Sequence, residues 1–213
     1  MQSIVDFILE LDKLKGVTRK TRPLGLDRYE NSAEHSWQIA MLAMSLAHLA
    51  ASPVDVNRVV QMLLVHDVGE IDAGDTIVYA EEGRAAAQAA ERAGAIRVLG
   101  LLPEPQRSRF MGLWEEFECS DTPESLFANA VDRAMPVLLN LANDGQSWRE
   151  NGIRYEQVVK RVGPQVVAGC PALWAYLDAQ LAGARDSGWF EAAGSAADST
   201  ADSTASLTRG LQP

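Results

Sequence analysis

The chain has 213 residues, 47% hydrophobic and 23% charged, with 29 Asp and Glu against 19 Lys and Arg and a formal net charge of −10. This length suits one sizeable core rather than two domains, and the acid excess excludes a nucleic acid polymer as an expected partner, because clustered Lys and Arg supply most non-specific affinity for phosphate backbones. No apolar run reaches the roughly 18 to 20 residues that cross a bilayer, and no basic segment precedes the first apolar residues, so no membrane association and a cytoplasmic location are expected.

Apolar residues recur at helical spacing, and period-two runs bounded by turn residues are absent, which predicts an all-α protein. The first helix is expected from about Ser3 to Leu14, with Ile4, Phe7, Ile8, Leu11 and Leu14 on one face and Gly16 as its stop. Residues 17–29 hold Arg19, Lys20, Arg22 and Arg28 with Pro23 and Gly25, and read as a basic, ordered loop. Asn31 and Glu34 have capping-box spacing, so a second helix begins there and runs to about Ala50 with His35 in its first turns.

Ser52-Pro53 breaks the chain ahead of a third helix that carries Val56, Val59, Val60, Leu63 and Leu64 and ends in His66-Asp67-Val68-Gly69-Glu70. A loop over Ile71 to Glu81 follows, then a fourth helix from Glu82 to Leu102. Pro103 and Pro105 separate it from a fifth, Gln106 to Glu118, and Thr122-Pro123 opens a sixth to about Asn143, kinked at Pro136. Helices over Tyr155–Val162 and Pro171–Arg185 complete one compact domain of seven or eight helices, residues 1–190. From residue 191 the composition turns to Ala, Ser, Asp, Thr and Gly, and Ala197-Asp198-Ser199-Thr200 is repeated at once, so a disordered tail is expected over 191–213.

Cys119 and Cys170 are too few for a disulfide framework and read as buried or half-buried thiols. Trp114, Trp148, Trp174 and Trp189, with Phe110, Phe117 and Tyr176, read as core or subunit contacts rather than a base-stacking platform.

The chemistry concentrates in three places. His66-Asp67 sets an imidazole and a carboxylate at the end of an apolar helix, with Glu70 four residues after the histidine. Asn31-Ser32-Ala33-Glu34-His35 offers a second imidazole, and Ala130-Val131-Asp132-Arg133-Ala134 a carboxylate inside an apolar helix. Each has a bland alternative: Asp67 as a cap, His35 as a core histidine, Asp132 as half of an ion pair. Together, two His and two Asp can fill four positions around one divalent ion.

The ordered set His35, His66-Asp67, Asp132, with the words Glu34-His35-Ser36, His66-Asp67-Val68-Gly69-Glu70 and Gly74-Asp75, resembles the HD-domain metal-dependent phosphohydrolases, and within them the 5′-deoxynucleotidase branch. The similarity runs from about Phe7 to about Leu181. It implies that His35, His66, Asp67 and Asp132 hold one divalent metal ion such as Co²⁺ or Mn²⁺, that Glu70 and Asp75 serve the chemistry, and that an arginine of the preceding loop, best matched by Arg19, binds the substrate phosphate. It also implies a homodimer. Where the family usually carries a tryptophan shortly after that arginine, packed near the sugar, this chain has Lys20-Thr21-Arg22-Pro23.

The expected reaction is hydrolysis of a (deoxy)nucleoside 5′-monophosphate to nucleoside and phosphate. A divalent ion polarises a phosphoryl oxygen, Arg19 neutralises the dianion, and Glu70 and Asp75 divide the proton transfers. Other small or modified phosphate esters are the nearest alternative. Two-metal phosphodiesterase or di-iron chemistry needs further histidines, and only His48 remains, thirteen residues and roughly 20 Å along a helix from His35. A regulatory protein that merely kept the cage has no use for Glu70 and Asp75.

Overall fold

The computed structural model describes residues 1–75 and 83–191. The fourth-helix start at Glu82, most of the 71–81 loop and the tail from 192 onward lie outside the described residues.

Ten α-helical segments are present among the described residues: α1 Gln2–Leu11, α2 Ser32–Leu46, α3 Val56–Val65, α4 Glu70–Ala73, α5 Arg84–Leu99, α6 Gln106–Cys119, α7 Pro123–Ala142, α8 Gln146–Glu150, α9 Tyr155–Gly169 and α10 Pro171–Asp186. The short α4 and α8 are additional to the helices expected from periodicity. The only extended pairing among the described residues is a single antiparallel bridge between Thr18 and Asn31.

The hub is α7. Its face buries Phe127, Ala128, Val131, Ala134, Met135 and Leu139, and α2, α3, α6, α9 and α10 pack around it. Thr122 caps it, its hydroxyl accepting from the Ser125 N–H at 3.1 Å, with Pro123 at the first position, where no N–H is needed. Pro136 lies inside the helix, so the carbonyl of Asp132 loses its usual i+4 donor. A second helix also carries an internal proline. Pro164 sits within α9, which continues to Gly169 instead of ending near Val162, because Val158, Val162 and Val166 bury a continuous face.

The Asn31 capping box forms as expected, with the Glu34 N–H donating to Asn31 Oδ1 at 3.0 Å and the Asn31 N–H donating to Glu34 Oε2 at 3.4 Å. By contrast, α1 ends at Leu11, and a 3₁₀ turn over Asp12–Gly16 carries Leu14 into the core. Cys170 is buried but Cys119 is exposed at the end of α6, contrary to expectation. Trp148 and Phe190 stack at 4.4 Å between ring centroids. No helix among the described residues is long and apolar enough to cross a membrane.

Candidate metal centre and active site

The third helix does not run through the His-Asp pair. It stops at Val65, and His66–Gly69 form a 3₁₀ turn that leads into α4. Two contacts hold this turn. The indole N–H of Trp114 on α6 donates to the carbonyl of His66 at 2.9 Å. On the other side Gly69 and Gly94 of α5 meet backbone to backbone: a Cβ on Gly94 would lie 2.4 Å from Gly69 O, and one on Gly69 would lie 2.2 Å from Glu91 O. Gly74, at φ +76°, closes α4 with its N–H on the carbonyl of Glu70 at 2.8 Å. That reversal brings Asp75 back beside Arg19.

His35, His66 and Asp132 are buried and place one ligand atom each within 4.8 Å of one another. Asp132 Oδ1 lies 2.9 Å from His35 Nε2 and 3.6 Å from His66 Nε2. His66 Nδ1 is 2.9 Å from the carbonyl of Leu63, which turns Nε2 toward the cluster, where that nitrogen is buried without a hydrogen-bond partner. An orphaned imidazole nitrogen facing a buried carboxylate is what a cation ligand set presents, so these residues fit a divalent ion. Asp67 stands at the edge of this group, with Oδ1 2.9 Å from His66 Nε2 and Oδ2 accepting from Arg19 Nη1 at 3.1 Å. His48 is exposed in a 3₁₀ turn after α2 and takes no part.

Arg19 is the other centre of the site. Its Nη1 lies 3.1 Å from Asp67, 3.7 Å from Asp75 and 4.0 Å from Glu70, and its Nε lies 3.6 Å from Glu30. The remaining basic residues of the loop are engaged elsewhere or exposed: Arg22 pairs with Asp27 and Glu150, Arg28 with Glu34, and Lys20 is exposed.

The electrostatics follow from this crowding of acids. Against burial, which works the other way, Asp67 and Asp132 push the His66 imidazole up to about 10. Burial and the Arg19 cation draw His35 down to about 4. Glu70, buried and facing Asp67 and Asp75, is pushed up to about 9, while accepting a hydrogen bond from Ser32 Oγ at 2.6 Å. Burial raises Asp75 as well, opposed by Arg19. A site that stabilises a positive charge on one imidazole and raises two carboxyls is short of cationic charge.

A cavity of about 300 Å³ opens onto these groups. Its walls include Arg19, Asp67, Glu70 and Asp75, Glu91 and Glu118 from α5 and α6, and Arg133, Asn140, Ser147 and Arg161 from α7 to α9. Arg133 Nε and Arg161 Nη2 are buried donors without hydrogen-bond partners. Every expected site residue is therefore in one place. Glu30 belongs there too and has no sequence signature: it is 1% exposed, and its burial comes from tertiary pairing.

The HD domain family model matches residues 11–174. The chain is 25% identical over 139 residues to 5′-deoxynucleotidase HDDC2 of Danio rerio, an alignment that covers 63% of this chain and 68% of that protein. It is 28% identical over 143 residues to 5′-deoxynucleotidase HDDC2 of Homo sapiens, covering 64% and 66%. With 5′-deoxynucleotidase YfbR of Escherichia coli it shares 30% identity over 132 residues, covering 58% and 66%. These alignments thus span about two thirds of each relative. The crystal structure of a predicted metal-dependent phosphohydrolase from Magnetospirillum magnetotacticum MS-1 superposes with a TM-score of 0.83 at 38% identity, over 90% of this chain and 98% of that one. With a helical fold, a buried His-His-Asp cluster and a family match over most of its length, the chain belongs to the HD domain family.

Proposed function

We propose that the protein is a metal-dependent phosphomonoesterase that hydrolyses deoxynucleoside 5′-monophosphates to nucleoside and phosphate. One observation carries this: Arg19 reaches toward Asp67, Glu70 and Asp75 at once, beside a cluster able to hold a metal ion. A guanidinium there receives a phosphate dianion, with donors arranged for paired contacts to its oxygens.

His35, His66, Asp67 and Asp132 would hold the ion, which supplies Lewis-acid polarisation of the phosphoryl group. Arg19 binds and orients the ester. Glu70, held by the Ser32 hydroxyl, would give up the proton its acidic surroundings favour once a cation joins the site, and then accept the proton of the attacking water. Asp75, raised above the usual carboxylate range by burial, delivers a proton to the departing sugar oxygen. The cavity is of nucleoside size, and the cations Arg133 and Arg161 among its lining residues suit the polar edge of a small ester rather than a polymer.

The domain is taken as residues 1–190, and the setting as cytoplasmic, where free nucleotides are found. We also propose a homodimer. On α2, Trp37, Met41 and Met44 project one exposed apolar stripe at helical spacing, the kind of surface a second copy covers.

The assignment is tested by phosphate release from dAMP, dCMP, dTMP and AMP after chelation and re-addition of Co²⁺ or Mn²⁺. Turnover of the deoxynucleotides that depends on the added ion is expected, with AMP reporting selectivity for the sugar. Absence of turnover with every monophosphate and every ion rejects the assignment.

A further inference from the structure

We infer that Glu30 is a positioning residue serving both halves of the site: its carboxylate holds the Nδ1 side of His35 and the Nε side of Arg19 together. The inference rests on the metal and phosphate roles assigned above.

The local fold explains how it gets there. The Arg19 N–H donates to Glu30 O at 2.9 Å, the Glu30 N–H to Thr21 O at 2.9 Å, and the Ser32 N–H to Val17 O at 3.1 Å. These bonds clasp residues 17–21 against 30–32 and bury the Glu30 side chain between them. One residue later Asn31 caps α2, so His35 stands one turn above the same carboxylate. A buried carboxylate without partners is costly, and Glu30 gathers three on a single oxygen. Oε2 accepts from Thr21 Oγ1 at 2.9 Å and lies 3.6 Å from Arg19 Nε and 3.9 Å from His35 Nδ1.

Each neighbour gains something different. His35 Nε2 faces Asp132 and the cluster, and for that nitrogen to offer a lone pair to a cation the ring proton must sit on Nδ1. Nδ1 is buried without a hydrogen-bond partner, and the carboxylate it faces is Glu30. At 3.9 Å the pair is an ion-pair distance rather than a hydrogen bond, so Glu30 acts on Nδ1 through its charge. Arg19 is tethered through Nε, which leaves its Nη edge toward Asp67, Asp75 and the cavity. Glu30 therefore sets the tautomer of a metal ligand and the aim of the phosphate arm with one charge. Removing it disturbs the His35 side of the ion site and phosphate binding together, whereas loss of Arg19 reaches the ion site only through Asp67.

The experiment uses the full chain and measures Co²⁺ and Mn²⁺ affinity by competition with a chromophoric chelator, the Co²⁺ absorption spectrum, and KM and kcat separately. Glu30→Gln is expected to weaken ion binding about 10- to 100-fold, the range seen when an outer partner of a metal-binding histidine is lost. It also shifts the Co²⁺ spectrum and raises KM more than it lowers kcat. Glu30→Asp recovers part of each effect, and Arg19→Ala raises KM. A folded Glu30→Gln protein with wild-type affinity, spectrum and KM overturns the inference. Should Glu30→Gln fail to fold, Thr21→Val, which removes only the hydroxyl holding Glu30, is expected to show smaller changes in the same quantities, and their absence overturns the inference as well. A wild-type chain that binds neither ion rejects the metal role itself. Ion binding that persists without turnover rejects only the substrate assignment.

Discussion

His35 Nε2 and Asp132 Oδ1 lie 2.9 Å apart although 97 positions separate them in the chain. The contact joins the first turns of α2 to the middle of α7, and His66 completes the cluster from the 3₁₀ turn after α3. Three elements meet at one buried point, so ion binding and chemistry can be separated by substitution.

Asp67 and Glu70 are expected to fail differently. Asp67→Ala removes a ligand and loses both the ion and the activity. Glu70→Gln keeps the ion, because Glu70 is held by the Ser32 hydroxyl whereas Asp67 lies against His66 Nε2, and loses activity by about 10²- to 10⁴-fold, the usual contribution of a general acid or base. Elemental analysis beside kcat separates the cases, and a fully active Glu70→Gln enzyme rules out its catalytic role.

The Gly69–Gly94 approach fixes where the His66–Asp67 turn sits against α5. Gly94→Ala places a Cβ 2.4 Å from Gly69 O, and backbone cannot swing aside as a side chain does. Overpacking of this kind costs about 1–3 kcal/mol. A fall in Tm of several degrees and weaker ion binding are expected. Gly112→Ala on α6 has nothing within 4 Å and is the control, expected to leave Tm unchanged or raise it. Equal melting of the two variants contradicts the proposed packing constraint.

Glu91 gives a pH dependence with a definite sign. Burial and the neighbouring Glu118 raise its carboxyl from 4.5 to about 7. Between those values the native state retains a proton that the unfolded chain releases, so this group's contribution to stability is present below about 4.5 and is lost as pH rises through about 7. Glu91→Gln removes the loss. The variant should melt higher than wild type at pH 8, with the difference shrinking toward pH 4.5, and a difference that does not vary with pH contradicts the assignment.

The α2 stripe predicts assembly. Sedimentation of the wild-type chain should give twice the 23.1 kDa of one copy, and Trp37→Glu, which sets a charge on a side chain 65% exposed in the single chain, should give monomers. A wild-type monomer, or a Trp37→Glu dimer, removes α2 as the interface.

Much of the site is legible in particular residues. His66-Asp67 stands out because polar groups at the end of an apolar helix need partners, and Asp132 stands out because a carboxylate within Ala-Val-Asp-Arg-Ala needs one too. Asn31 and Glu34 announce the start of α2 because capping is a local interaction. The end of α3 is not legible in the same way: hydrophobic periodicity continues past Val65, and the switch to a 3₁₀ turn depends on Trp114 and Gly94, which come from α6 and α5. The helix expected to end at Val162 runs on through Pro164 to Gly169, because burial of its valine face outweighs one missing hydrogen bond.

What the sequence alone determined is the helical class and the capped helix starts, because periodicity and capping are local; it offered His35, His66, Asp67 and Asp132 as a candidate ligand set, and the family resemblance added Glu70, Asp75 and Arg19. Only the tertiary structure decided which loop cation faces the acids, that Asp67 is shared between His66 and Arg19, and that Glu30 lies beneath both His35 and Arg19. Those relations depend on burial, and burial is created by segments distant in sequence packing against α7.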